Sequence, residues 1–128
     1  MTNHVHLNFR STYGQKPELL LGDFKRFTSK AIVDAIKENP RESRKEWLLE
    51  QFMKAGAKSS NVKKYQFWRH DNKPIELWST KVIFEKINYI HYNPVEEGIV
   101  YCPQDYVYSS ARDYADEKGL INNVIVVR

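Results

Sequence analysis

Thr2-Asn3-His4-Val5-His6-Leu7-Asn8-Phe9-Arg10 is the stretch on which the expected fold turns. It alternates without a fault, with His4, His6, Asn8 and Arg10 on one side and Val5, Leu7 and Phe9 on the other. A period of two predicts a half-buried β-strand whose apolar side faces a core. The two imidazoles would stand in adjacent pleats of the other face, about 7 Å apart at the usual rise of a strand. Such a pair either converges on one divalent cation or is polar filler on a solvated face, and the remainder of the chain has to decide between them.

The chain has 128 residues, enough for one domain with a single core. A hydrophobic content of 41% with five prolines and five glycines predicts a folded protein, not a disordered one. No apolar run reaches the length of a membrane span, and no signal peptide is expected. The lone cysteine, Cys102, excludes an internal disulfide and fits a reducing cytoplasm. Charge is unevenly spread. Residues 1–70 carry 14 Lys and Arg against 7 Asp and Glu, whereas residues 71–128 carry 6 against 9. A basic front half points to a polyanionic partner.

Working outward from the strand, Gly14 marks a turn and Pro17 suits the first residue of a helix. From Glu18 to about Glu38, Leu20, Phe24, Phe27, Ala31 and Ala35 recur at three- and four-residue spacings, which predicts one buried stripe. Arg26, Lys30 and Lys37 line the opposite side, as a solvated face or as a phosphate-tracking surface. Ser43-Arg44-Lys45-Glu46 matches a capping box and opens a second helix to about Ala57, burying Leu48, Leu49, Phe52 and Met53. Lys58 to Lys64 reads as a loop. Tyr65 to Arg69 and Ile75 to Trp78 flank turn chemistry at Asp71-Asn72-Lys73-Pro74 and predict a hairpin. Its aromatics, among them Trp68, interleave with Arg69, His70 and Lys73, as core or as a stacking platform for unpaired bases.

Ser79 is placed to cap a helix from Thr80 to about Asn93, stopped by Pro94. Ile83, Ile87 and Ile90 form its core stripe. Tyr89 and Asn93, four residues apart, share a face on the flank of that stripe with Val82 and Lys86. Tyr89 could then present a phenol to an ion held by His4 and His6, with the Asn93 carboxamide as third ligand. Two imidazoles and an amide oxygen, completed by water or phosphate oxygens, suit Mg²⁺ or Mn²⁺. Ser109 or Ser110 is expected to cap a short helix from Ala111 to about Lys118, and the β-prone run from Asn123 to Val127 could join a sheet.

His4-Val5-His6 followed by Tyr89-Ile90-His91-Tyr92-Asn93-Pro94-Val95 resembles the single-tyrosine HUH transposases, in particular the REP-associated tyrosine transposases. The similarity continues through Phe24 to Lys30, Trp68, Gly98-Ile99-Val100 and Asp105 to Ala111, nearly the whole chain in order. The resemblance implies an α+β domain over residues 1–128, with a ferredoxin-like central antiparallel β-sheet covered by helices and often paired as a homodimer. It implies His4, His6 and Asn93 as metal ligands and Tyr89 as nucleophile. The implied substrate is single-stranded DNA bearing a hairpin, cleaved and rejoined through a covalent 5′-phosphotyrosine. The strand with the histidines normally follows a further strand and helix in that family; here Met1 stands almost on it, so the family's N-terminal strand and helix are expected to be missing.

The expected protein is therefore a metal-dependent, DNA-cleaving enzyme of the cytoplasm, associated with the nucleoid. DNA contacts are expected from Lys25, Arg26, Lys30, Trp68 and Arg69. Lys86, one turn before Tyr89, either assists its ionisation electrostatically or is a snorkelling surface lysine. Two rival readings are a non-catalytic DNA-binding remnant of a transposase and a phosphodiesterase that uses water, with Tyr89 only structural.

Overall fold

The computed structural model describes residues 3–60 and 64–128. Thr2, at the start of the expected strand, and residues 61–63, within the expected loop, lie outside them. The described chain is 48% helix and contains no β-strand. The expected α+β fold with its central antiparallel sheet is therefore corrected to a helical one. The element order is α1 (Pro17–Glu38), α2 (Lys45–Ala57), α3 (Thr80–Glu96), a 3₁₀ turn (Pro103–Asp105) and α4 (Ala111–Tyr114). Two compact units are present, one formed by residues up to Phe9 with Ile75–Arg128, the other by Arg10–Pro74.

The strands fail for a common reason: a strand exists only when its N–H and C=O groups find a ladder. Among the described residues, no backbone–backbone hydrogen bond ties residues 3–10 to another segment. Val5, Leu7 and Phe9 consequently stay exposed, Val5 at 56%, and it is His6 that is partly covered. In the expected hairpin, side chains take the place of a neighbouring strand. The Gln66 carboxamide donates to the Trp68 carbonyl at 3.1 Å, and Lys25 Nζ donates to the Arg69 carbonyl at 2.6 Å. The Gln66 N–H donates to the carbonyl of Phe52 on α2, at 2.9 Å. Ile75 to Trp78 belongs to the other unit. At the C-terminus the Val127 N–H goes to the Tyr114 hydroxyl at 3.1 Å.

In the unit Arg10–Pro74, α1 starts at Pro17, whose missing N–H costs nothing at the first helical position. It ends at Asn39, before Pro40. The stripe of Leu20, Phe24, Phe27, Ala31 and Ala35 is not the buried one. Val33 is the buried residue of α1, and Phe27 is 76% exposed. Both faces of α1 carry apolar residues, so period alone does not choose between them. Trp68 packs beside Phe24 and Thr28: its indole N–H donates to Thr28 Oγ1 at 2.8 Å, and that hydroxyl donates to the Phe24 carbonyl at 2.7 Å. Phe67 stands edge-on to both Phe52 and Trp68, at 5.3 and 4.9 Å between ring centres. The expected capping box at Ser43 does not form. The Glu42 carboxylate takes the Arg44 N–H at 2.9 Å and the Arg44 guanidinium at 3.1 Å, and α2 begins at Lys45. Leu48, Leu49 and Phe52 are half-buried, whereas Met53 is exposed.

In the other unit, Ser79 caps α3 as expected, accepting from the Val82 N–H at 3.3 Å. The helix does not stop at Asn93. It runs through Pro94, which is fully buried, to Glu96. A proline so near the end removes one intrahelical bond, and the burial of its ring offsets that loss. The stop comes at Gly98, which adopts φ +68°. There the Ile99 N–H reaches the Pro94 carbonyl and the Gly98 N–H the Val95 carbonyl, both at 2.9 Å, a Schellman closure. Ile87, His91, Asn93, Pro94, Ala111 from α4 and Gly119 are the buried residues of this unit. α4 is shorter than expected, ending at Tyr114, with Asp116 in a left-handed conformation just beyond.

Two glycines give opposite expectations. Gly22 lies inside α1 with open space around it, so Gly22→Ala should stabilise the protein by about 0.5–1 kcal/mol. Gly98 is equally open but left-handed, so Gly98→Ala should destabilise it by about 1–2 kcal/mol. Urea denaturation followed by helical circular dichroism measures both.

Candidate catalytic and metal site

The residues expected to carry the chemistry all fall in the unit that contains α3. Helical periodicity puts Lys86, Tyr89 and Asn93 on one flank of α3, away from the Ile87–His91–Pro94 side. The segment bearing the histidines lies against that flank although it forms no strand. His6 Nε2 is 3.4 Å from the carboxamide nitrogen of Asn93. The His6 ring also stands edge-on to Tyr89, 5.7 Å between centres, and the His4 ring edge-on to His6 at 4.9 Å. Two pairs of residues separated by more than eighty positions in sequence are thus joined through His6. Lys86 Nζ lies 5.7 Å from the centre of the Tyr89 ring.

The environment separates these groups. Tyr89 is 52% exposed, so its side chain is open to solvent. Asn93 is buried under His6, at 7% exposure. Burial holds the His6 imidazole below its ordinary pKa, and His4 adds to the depression. A neutral His6 keeps a lone pair for a metal ion. His4 Nδ1 lies 2.7 Å from the Asn3 side-chain oxygen, the second contact that orients a ligating histidine.

Among the described residues, no group of three or more His, Cys, Asp or Glu gathers around a point. The set is instead two imidazoles and a carboxamide, whose oxygen and nitrogen exchange places on a half-turn. Neutral donors of this kind fit Mg²⁺ or Mn²⁺ when anionic oxygens come from a phosphate ligand. On those terms His4, His6 and Asn93 could hold the ion.

The five residues expected to contact DNA lie in the other unit, and each has a partner within the chain. Besides the Arg69 carbonyl, Lys25 Nζ donates to the Asn72 side-chain oxygen at 2.6 Å. Arg69 forks onto Asp71 at 3.0 and 2.7 Å. Arg26 pairs with Asp23 at 3.1 Å and Lys30 with Asp34 at 2.7 Å, both fully on the surface. Trp68 is half-buried, its ring 6.2 Å from that of Phe24. Lys25 and Trp68 therefore hold the segment after α2 onto α1. Arg26, Lys30 and Arg69 keep exchangeable surface pairs of the kind worth little to stability. The roles of Thr28 and Asn72 as acceptors left no trace in the sequence, because both contacts span some forty residues.

His91, two residues before Asn93, faces the opposite way. It is 7% exposed, its Nε2 lies 3.0 Å from Ser110 Oγ, and its ring stands edge-on to Tyr114. Burial lowers its pKa. No protein-family model matches the chain, and neither a curated protein nor a solved structure matches it significantly.

The sign of the His91 effect follows from linkage. A histidine that the folded state keeps neutral binds more protons when unfolded, so stability rises with pH. The contribution is complete above the ordinary value of 6.5 and is lost as pH falls below it toward the depressed folded value. The urea midpoint should therefore be higher at pH 7.5 than at about pH 5.5, and His91→Gln should flatten that difference.

Proposed function

We propose that this chain cleaves and rejoins single-stranded DNA with Tyr89 as nucleophile, in the manner of the single-tyrosine HUH transposases that its sequence resembles. The observation that carries the reading is His6 packed against Tyr89 at 5.7 Å and Asn93 at 3.4 Å, since sequence alone leaves these residues far apart.

The Tyr89 hydroxyl attacks a backbone phosphorus in line. A phosphorus–oxygen bond to Tyr89 forms as the bond to the 3′ oxygen breaks, and the released 3′-hydroxyl takes up a proton. Attack by a 3′-hydroxyl on the same phosphorus reverses the step, so rejoining needs no nucleotide cofactor. His4, His6 and Asn93 would hold Mg²⁺ or Mn²⁺, which would supply Lewis-acid polarisation of the phosphate. Lys86 Nζ, 5.7 Å from the centre of the Tyr89 ring, is the proposed source of electrostatic assistance. Asn93 and His6 fix each other's rotamers, which keeps the site set before substrate arrives.

Charge supports a division of labour. Arg10–Pro74 carries 15 Lys and Arg against 8 Asp and Glu, and the remainder of the chain 5 against 8. The basic unit supplies affinity for the DNA backbone, through Arg26, Lys30 and Arg69 first, and the acidic one supplies chemistry. A homodimer working at the nucleoid is part of this reading; exposed Val5, Leu7 and Phe9 are surface that a second copy would cover. A helix long and apolar enough to cross a membrane is absent among the described residues. The second reading, a DNA-binding remnant without activity, draws on the lack of backbone hydrogen bonds along residues 3–10, since a loosely held ligand pair is a poor catalyst.

Labelled single-stranded hairpin DNA, incubated with the protein and Mn²⁺ and run on a denaturing gel, tests the proposal. A labelled band travelling with the protein is expected, absent with Tyr89→Phe or a chelator. His6→Ala should raise the Mn²⁺ required by about tenfold or more. No adduct across a broad set of hairpins, from folded protein that still binds them, overturns the catalytic reading in favour of the remnant. In binding measured against salt, Arg26→Ala and Lys30→Ala should each reduce the log–log slope by about 1, with little change in sequence preference.

A further inference from the structure

We infer that a cleft on the opposite side of α3 from the His6 contact is a subsite for one unpaired nucleobase, taken from the strand that Tyr89 attacks. The inference rests on the proposed function and adds the substrate feature next to the scissile phosphate. The cleft holds about 360 Å³, and His91, Tyr92, Cys102, Gln104 and Tyr114 are among the residues that line it. That volume lies at the lower end of the range of small-ligand sites, roughly 300–1,000 Å³, and admits a flat ring system.

Its walls have the chemistry of base recognition. Tyr92 and Tyr114 contribute aromatic rings to the lining, the side-chain type on which any base stacks. Gln104 offers a carboxamide, a donor and an acceptor side by side, which complements the edge of an unpaired base. The Gln104 backbone is held in place, because Arg112 Nε donates to its carbonyl at 2.9 Å. No hydrogen bond occupies the Gln104 carboxamide among the described residues. His91 is wall, not catalyst, since Ser110 engages its Nε2.

Position and charge agree with a base. Tyr92 follows Tyr89 by three residues within α3, so their Cβ atoms are about 5–6 Å apart, less than one nucleotide step of an extended strand. A nucleotide beside the phosphate under attack can therefore turn its base into the cleft. Among the described residues, neither lysine nor arginine lines the cleft, which favours a neutral base over a phosphate.

Cys102 makes the test direct. It is the chain's only cysteine, it is exposed, and it lines the cleft, so its rate of alkylation by iodoacetamide reports occupancy. The probes are dAMP, dCMP, dGMP, TMP and, as the base-free control, 2-deoxyribose 5-phosphate, each with the whole chain and no added metal. At least one nucleotide should slow alkylation by about fivefold when roughly four-fifths of the sites are filled, while the control leaves the rate unchanged. Tyr92→Ala should abolish the protection and Gln104→Leu weaken it, with circular dichroism showing both variants folded. Equal rates with all five probes, or protection that survives both substitutions, overturn the subsite. The probes contain no phosphodiester, so the result is independent of the adduct assay. Adduct without protection removes the base subsite and leaves Tyr89 as nucleophile, and protection without adduct does the reverse.

Discussion

The continuity of α3 through Pro94 is the constraint on which the candidate site depends. Helical geometry places Asn93 one turn beyond Tyr89 on the same flank only while residue 93 is itself helical, and a residue before proline is biased against that conformation. Burial of the Pro94 ring tips the balance, and the Schellman closure at Gly98 then satisfies the Pro94 and Val95 carbonyls at the end of the helix. One element thereby presents Lys86, Tyr89 and Asn93 to one side and Ile87, His91 and Pro94 to the other. Tyr89 and its neighbours ride on a helical support, and the chain's opening residues need only lie against it.

The opening residues show that a contact can survive a change of secondary structure. A strand was one way to deliver His4 and His6; an irregular segment lying on α3 is another. The contact of His6 with Asn93 and Tyr89, on which the proposed chemistry rests, is present without a ladder. The cost is rigidity, since residues 3–10 are tied by side-chain contacts in place of backbone hydrogen bonds. A bound ion and phosphate would supply the missing restraint.

In the basic unit the aromatic residues divide by role. Phe67 and Trp68 bind the segment after α2 to the two helices, with Thr28 accepting the indole proton and Lys25 capping the chain as it leaves. Phe27 is left facing outward. The residues with the greatest freedom to meet a phosphate are those in surface ion pairs, because such pairs exchange partners at little expense.

The sequence by itself determined whatever depends on neighbours within a turn or two. Pro17 opening α1, Ala57 closing α2, Ser79 capping α3, the isoleucine stripe and the shared flank of Tyr89 and Asn93 were all legible, because each is a local pattern. The two histidines and the tyrosine could be named as one set from their resemblance to a family. Tertiary structure decided the rest. The period of two in Val5-His6-Leu7 specifies a strand only if another strand lies beside it, and no local pattern supplies that partner. The stripe expected for α1 was drawn from apolar spacing alone, whereas Val33 is the residue buried, and Trp68, forty residues away, packs at Phe24 and Thr28. Pro94 read as a stop because its ring obstructs a helix locally, whereas the enclosure of that ring, invisible in the sequence, lets the helix continue.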